Sequence, residues 1–364
     1  MKSYINNYEL WCNAGDTKSL MEAVYNKQSA LVEDKTFLKD ATAGLGIMKY
    51  ENIYSLMKEV VAKVLESSNL DNFNNTLLIL GSSVGGMQEC EEIFYKQKSY
   101  KNIDTNRLSM NALTDFLVKE FGFYDSRAIS TACTSSANAL LLAKRLIGVD
   151  AYENILVVGA DGLCRSTVMG FHALSVLSHT KCRPFDEKRN GMNVAEAVAA
   201  LLVQSTQTKD SIEIKGVGAS SDAYHMTNPN PEALGAIASM QNALKDAKLT
   251  NEDIDYINAH GTATVANDKV EALGIEKLFG DSVHVNSTKA ITGHTLGAAG
   301  AVEAIVSCEV IKRSKIPPQT GLENQENLNI KVNKESVDMR VKNVISNSFA
   351  FGGNNTSILL GECK

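Results

Sequence analysis

The sequence predicts a layered α/β fold with buried sheets, and three observations carry that reading. Strand-like and helical stretches alternate; the same order of elements occurs twice; and 364 residues are enough for roughly two domains of ~150 residues or one large duplicated unit.

In the first half, the apolar run at residues 75–80 reads as a strand, followed by a shorter one at 128–131. A turn of small residues then leads into a helical stretch at 136–147. There Ala139, Leu140, Leu141, Leu142, Ala143, Leu146 and Ile147 leave Lys144 and Arg145 to one side, the pattern of a largely buried helix. A further strand is expected at 154–159. The second half repeats the plan, with strands at 254–259 and 283–287, a glycine-rich turn, a helix at 298–311 and a strand at 343–347. Ala298, Ala299, Gly300, Ala301 and Ala304 permit close packing of that helix, and Pro317-Pro318 is expected to end it. The basic segment 180–189 reads as an exposed connecting loop.

Composition excludes several classes of function. The longest apolar runs, such as 197–203, are far shorter than the ~20 residues that cross a bilayer. A net charge of -6 argues against a chain that grips nucleic acid through bulk positive charge. The first residues have no apolar core or small-residue cleavage site, so a cytoplasmic location is expected. Seven scattered cysteines with no C-x-x-C pair disfavour a disulfide framework and a cysteine-rich zinc site.

Cys133 falls between a strand and a helix in Ser130-Thr131-Ala132-Cys133-Thr134-Ser135-Ser136. The dipole and free N–H groups of a helix N-terminus favour a thiolate and lower its pKa, which suits a nucleophile; a small buried cysteine is the competing reading. His260 follows an apolar strand and precedes glycine, so it is expected to project from a strand end into a cleft, although an ordinary loop histidine fits as well. His294 lies in a second glycine-punctuated turn, flanked by Lys289 and Glu303, either of which could be a solvated charge. One cysteine and two histidines at strand ends form a stronger signal together than alone.

Gly81-Ser82-Ser83-Val84-Gly85 matches the G-x-S-x-G nucleophile elbow, follows a strand and precedes a helical stretch at 87–97. A serine hydrolase using Ser83 is therefore an alternative, as is a tight turn beside a ligand. In Phe349-Ala350-Phe351-Gly352-Gly353-Asn354 the chain leaves a strand through a glycine pair, where Phe351 could close a hydrophobic cavity or simply pack in a turn.

Taken in order, these segments resemble the β-ketoacyl-acyl-carrier-protein synthases of the KAS I/II type, members of the thiolase-like superfamily. The likeness runs from about residue 77 to the end of the chain. It is carried by Thr131 to Ser136, by His260-Gly261-Thr262-Ala263-Thr264 with Asp268 and Glu271, by Lys289 to Gly300, and by Phe349 to Asn354. The resemblance implies a five-layered α-β-α-β-α fold of two duplicated halves, 1–205 carrying the cysteine and 206–364 the histidines, usually as a homodimer. It also implies an acyltransferase that performs decarboxylative condensation in fatty acid or polyketide synthesis. Cys133 then accepts the acyl group, His260 and His294 serve decarboxylation and condensation, Lys289 and Glu303 form a supporting ion pair, and Glu196 is a structural glutamate. Phe351 is the acyl gate and shares an oxyanion hole with the Cys133 N–H; Thr262, Thr264, Gly352 and Gly353 contact substrate. No metal or organic cofactor is expected, since substrates arrive on the phosphopantetheine of an acyl carrier protein. Lys181, Arg183, Lys188 and Arg189 are the candidates for the surface that receives this acidic partner. A non-catalytic chain-length partner of the same fold is an alternative, but such partners usually lack the cysteine; a heterodimer with one is a further alternative to the homodimer.

There are departures from the family pattern. The section before residue 77 is shorter than usual and its opening strand lacks the customary glycine-rich turn. Asn190-Gly191-Met192-Asn193-Val194-Ala195-Glu196-Ala197 replaces a segment that normally has Asp, then Gly-Phe, with glycines around the glutamate. Ala263 and Val265 stand where a small residue and proline are common. Met192, unbranched and flexible where phenylalanine is usual, is expected to reshape the acyl pocket; filling the core without touching substrate is the alternative.

Overall fold

In the computed structural model, which describes residues 1–68, 70–326 and 329–363, the two halves share one strand order. The first half runs β1 (Tyr4–Cys12), α1 (Ile53–Glu66), β2 (Thr76–Gly81), α2 (Met87–Gln97), α3 (Met110–Phe121), β3 (Asp125–Ile129), α4 (Ser135–Gly148), β4 (Asn154–Asp161), α5 (Arg165–Ala173) and β5 (Ala197–Gln204). The second runs β6 (Ile212–Ser221), α6 (Leu234–Ala247), β7 (Tyr256–Asn258), α7 (Val265–Phe279), β8 (His284–Asn286), α8 (Ala299–Arg313), β9 (Asn343–Phe349) and β10 (Asn354–Glu362). The spatial order β3-β2-β4-β5-β1 in one half is matched by β8-β7-β9-β10-β6 in the other. The first two pairings are parallel and the next two antiparallel in both halves. The halves join where β1 pairs antiparallel with β6, Tyr4 opposite Glu213.

Helices α4 and α8 pack on each other between the two half-sheets: α4 meets β2, β4 and β10, and α8 meets β9, β10, β5 and β4. Helices α1 and α3 cover the outer face of the first half-sheet, while α6 covers that of the second with α7 packed against it. The result is the α-β-α-β-α layering. It also explains why the strands are apolar on both sides. Leu77 and Ile79 of β2 enter the central core with Leu140 and Ile305, whereas Leu78 and Leu80 enter the outer core with Val61 and Leu117. The small residues of α8 allow the close approach the sequence suggested: a Cβ on Gly300 would stand 2.6 Å from the Ala137 backbone nitrogen. Helix α8 ends at a left-handed Ser314, before Pro317-Pro318 rather than because of them. Among the described residues no helix is long and apolar enough to cross a membrane.

The segment 180–189 is not an exposed loop. Cys182, Phe185, Asp186 and Arg189 are buried. Phe185 packs with Ile257 and Met240, and the Asp186 carboxylate accepts the backbone N–H groups of Lys188, Glu323 and Asn324. Basic residues at the ends of the segment hid an apolar and hydrogen-bonded middle.

Candidate active site

Cys133 sits two residues before the start of α4, next to the capping Thr134, and Ala132 ahead of it takes a left-handed backbone (φ 53°). That sharp elbow is held from below: Ser83 Oγ donates to the Ala132 carbonyl at 3.0 Å, and Ser135 Oγ to the same oxygen at 2.6 Å. The backbone N–H groups of Phe351 and of Cys133 itself converge on the sulfur. Burial pushes the thiol up to about 12, against the pull of the Lys289 ammonium and those two N–H groups. The expectation of a lowered pKa is therefore corrected: the helix terminus is present, but desolvation outweighs it and the resting group is a thiol.

Ser83 is spent on that elbow. Its hydroxyl donates to Ala132, and its N–H, with those of Val84 and Gly297, donates to the buried Asp161 carboxylate. The G-x-S-x-G match is a structural turn supporting Cys133, not a serine nucleophile.

His260 and His294 face each other edge to face, ring centroids 5.2 Å apart. Both are buried and both line the cavity that Cys133 lines. The Leu296 N–H donates to His294 Nδ1 at 3.1 Å, so the neutral ring carries its proton on Nε2. Lys289 Nζ, which can only donate, lies 3.4 Å from His260 Nδ1 and fixes the same tautomer. Burial first, then the Lys289 charge, hold both rings' pKa well below the usual histidine range. The site therefore presents two neutral imidazoles with their Nε2–H groups available. Lys289 also donates to the His260 carbonyl at 2.5 Å and forms an ion pair with Glu303. Burial raises Glu303 and the Lys289 charge opposes it. The turn that carries His260 is shaped by Glu271, whose two oxygens accept the His260 and Gly261 N–H groups at 2.8 Å each; burial pushes this carboxyl up to about 7.

The cavity encloses about 250 Å³. Thr262 and Thr264, their hydroxyls 3.0 Å apart, line it together with Gly352 and Gly353. Phe351 lies against Phe171, ring centroids 5.9 Å apart. Met192 lines the cavity and belongs to the buried apolar cluster of Leu163, Leu177 and Leu296. Glu196 lies apart from this cavity, its carboxylate accepting the Met48 and Leu163 N–H groups and the Tyr50 hydroxyl.

The four basic candidates separate. Lys181 and Lys188 are exposed. Arg183 is tied to Glu323, and Arg189, 5% exposed, is paired with Glu326 and donates to the carbonyls of Asp186 and Val265. Arg189 is thus corrected from surface charge to buried tie, because the carboxylates of Asp268 and Glu326 lie against its guanidinium.

Sequence reasoning missed Asp161 and Asn193. Asn193 is fully buried; its amide bonds the Cys182 N–H and the Thr180 carbonyl, while its backbone oxygen accepts the His294 N–H at 2.7 Å. The only available signal was a polar residue inside an apolar run.

The model for the N-terminal domain of beta-ketoacyl synthases matches residues 11–209 and that for the C-terminal domain residues 211–323. The chain is 39% identical over 256 residues to a 3-oxoacyl-(acyl-carrier-protein) synthase 2 of Coxiella burnetii, covering 65% of this chain and 61% of that protein. It is 34% identical over 311 residues to the protein of that name from Rhizobium meliloti, covering 79% and 74%. Among solved structures, the ketosynthase ApeO in complex with its chain length factor ApeC from Xenorhabdus doucetiae superposes with a TM-score of 0.90 at 30% identity, over 100% of this chain and 98% of that one. A beta-ketoacyl synthase from Burkholderia phymatum shares the fold with a TM-score of 0.88 at 24% identity, each chain covered completely.

Proposed function

The chain belongs to the β-ketoacyl synthase family, and from that premise we propose that it condenses an acyl thioester with a malonyl thioester borne on an acyl carrier protein. The observation that carries this reading is the pair of neutral histidines beside Cys133 in one cavity. Cys133 attacks the incoming acyl thioester; the C–S bond to the carrier breaks, and the thiol proton ends on the departing carrier thiol. Malonyl thioester then enters, its C–C bond to the carboxylate breaks, and carbon dioxide leaves an enolate. Two Nε2–H donors aimed at the enolate oxygen stabilise the charge where it develops. The enolate carbon attacks the acyl-Cys133 carbonyl, whose oxygen is received by the Cys133 and Phe351 N–H groups. Collapse expels the Cys133 thiolate, which takes one proton from solvent.

Burial and, after it, the Lys289 charge keep both rings neutral; Lys289 also fixes His260, and Glu303 balances its charge. In this reading Thr262 and Thr264 meet the phosphopantetheine arm, and Phe351 swings away from Phe171 as the acyl chain enters. The chemistry calls on no metal or organic cofactor. An acyl carrier protein is the partner, and a cytoplasmic location belongs to the same reading. Strand β3, the terminal strand of its half-sheet, offers an open edge on which a second copy or a chain-length partner could dock.

Replacing His260 or His294 with alanine tests the proposal. Each change should slow malonyl decarboxylation ~100-fold, the effect of losing one oxyanion donor, while Cys133 acylation suffers less. A variant that loses acylation but decarboxylates normally would contradict the division of labour.

A further inference from the structure

Asp161 ends β4 with its side chain fully buried, and nothing in the chemistry above uses it. Its carboxylate faces two ways. Oδ1 accepts Ser82 Oγ at 2.5 Å, the Ser83 N–H at 2.9 Å and the Val84 N–H at 3.0 Å. Oδ2 accepts the Gly297 N–H at 2.6 Å and shares the Ser83 N–H at 2.9 Å. The first group of donors belongs to the turn whose Ser83 hydroxyl and Ser82 carbonyl hold Ala132 and Ser135 around the nucleophile. The other donor, Gly297, lies in the turn that begins at Leu296, whose N–H sets the His294 tautomer. The fit is close: a Cβ on Gly297 would stand 2.7 Å from the Ser83 nitrogen and 2.8 Å from Asp161 Oδ2.

Resting on the condensing-enzyme reading, we propose that Asp161 is a positioning residue that sets the Cys133 elbow and the His294 loop relative to each other. Each half of the duplicated fold contributes one arm of the site, and Asp161 is bonded to both. Burial raises the pKa of this carboxyl, and the donors that make every one of its contacts oppose that rise and favour the ionised form. That charge faces the Cys133 thiol and disfavours its ionisation, Lys289 favours it, and the neutral His260 and His294 line the same cavity with Asp222 and His225.

Asp161→Asn keeps the shape and turns one oxygen into a donor. The donors of the serine turn hold the remaining oxygen, so the new NH₂ meets the Gly297 N–H, donor against donor, and the His294 loop is released while the elbow stays. Two readouts should then move: malonyl decarboxylation slows, while Cys133 alkylation becomes easier at a given pH. Decarboxylation of a malonyl thioester should fall about tenfold or more in kcat, with KM within about threefold. The pH midpoint of Cys133 alkylation by iodoacetamide should shift downward, which a merely structural loss would not produce. Gly297→Ala keeps the charge but blocks the contact; it should lower the ratio of decarboxylation to Cys133 acylation without moving the alkylation midpoint, and it decides the matter if Asp161→Asn does not fold. Wild-type protein that neither decarboxylates nor is acylated would defeat the functional reading itself. Wild-type protein that does both, with variants whose ratio and midpoint stay unchanged, would overturn the role of Asp161 alone.

Discussion

Lys289→Met removes the charge at the centre of the site while keeping most of the side-chain volume. The ammonium, 1% exposed, bonds His260 Nδ1 at 3.4 Å, the His260 carbonyl at 2.5 Å and the Glu303 carboxylate. Deleting one partner of a buried ion pair costs ~3–5 kcal/mol when the other stays ionised. Glu303 has a way out, because burial already raises its pKa and loss of Lys289 raises it further. Protonated, it leaves only the lost hydrogen bonds, about 1–3 kcal/mol. A carboxyl whose folded-state pKa is raised contributes stability that is complete below its unfolded pKa and is lost as pH rises through the folded one; wild-type Glu303 finishes that loss near its pKa of about 7 and the variant does not, so the gap between them should widen as pH rises above 7 in thermal melts. His260 also loses the donor that fixes its tautomer, so one enolate donor becomes undirected, a rate cost in malonyl decarboxylation of at most the ~100-fold expected for losing that donor outright. With the positive charge gone, the Cys133 thiol rises further and alkylation at a fixed pH slows, tenfold for each unit of about 1.4 kcal/mol. A variant that decarboxylates within about threefold of wild type, with unaltered alkylation and no pH-dependent loss of stability, would refute this account of Lys289.

Cys133→Ala should abolish condensation, since no other side chain in the cavity carries the acyl group, while malonyl decarboxylation persists; release of labelled carbon dioxide without ketoacyl product is the readout. Met192→Phe should shift chain-length or unsaturation preference across a panel of acyl-carrier substrates and cost ~1–3 kcal/mol for overpacking, because the residue both lines the cavity and packs beneath it. An unchanged profile at unchanged stability would remove it from the pocket. Reversing Lys181 and Lys188 to glutamate should slow transfer from the carrier protein ~3–10-fold but leave a short pantetheine thioester unaffected. Equal effects on both substrates would count against that surface.

The parts of the molecule written in local patterns were readable before any coordinates. The apolar runs of β2 and β4, the small-residue face of α8 and the strand-to-helix turn at Cys133 depend on neighbours in sequence, and each lies within a few residues of its expected position. β1 and β6, which join the halves, were not legible: Tyr4 to Cys12 mixes asparagine, tyrosine and glutamate with apolar residues and shows no clean period. Nor was the state of the thiol, because Cys133 is buried in a cavity it shares with residues far away in sequence, such as His260, His294 and Phe351. The buried ties follow the same rule. Asp161 meets Gly297 across 136 residues, and Arg189 meets Glu326 across a similar span, so charge alone suggested a solvated surface for the arginine. Local grammar places the reactive groups; long-range packing sets their ionisation.

Mass spectrometry of the intact protein and its Cys133 peptide tests the central claim most directly. The purified chain is exposed first to an acyl thioester and then to a malonyl thioester. The account predicts one acyl group on Cys133 that survives removal of the donor, then disappears on adding malonyl thioester as a β-ketoacyl thioester and an equivalent of carbon dioxide appear. An acyl group found on another residue, or product formed at the wild-type rate by the Cys133→Ala chain, would contradict it.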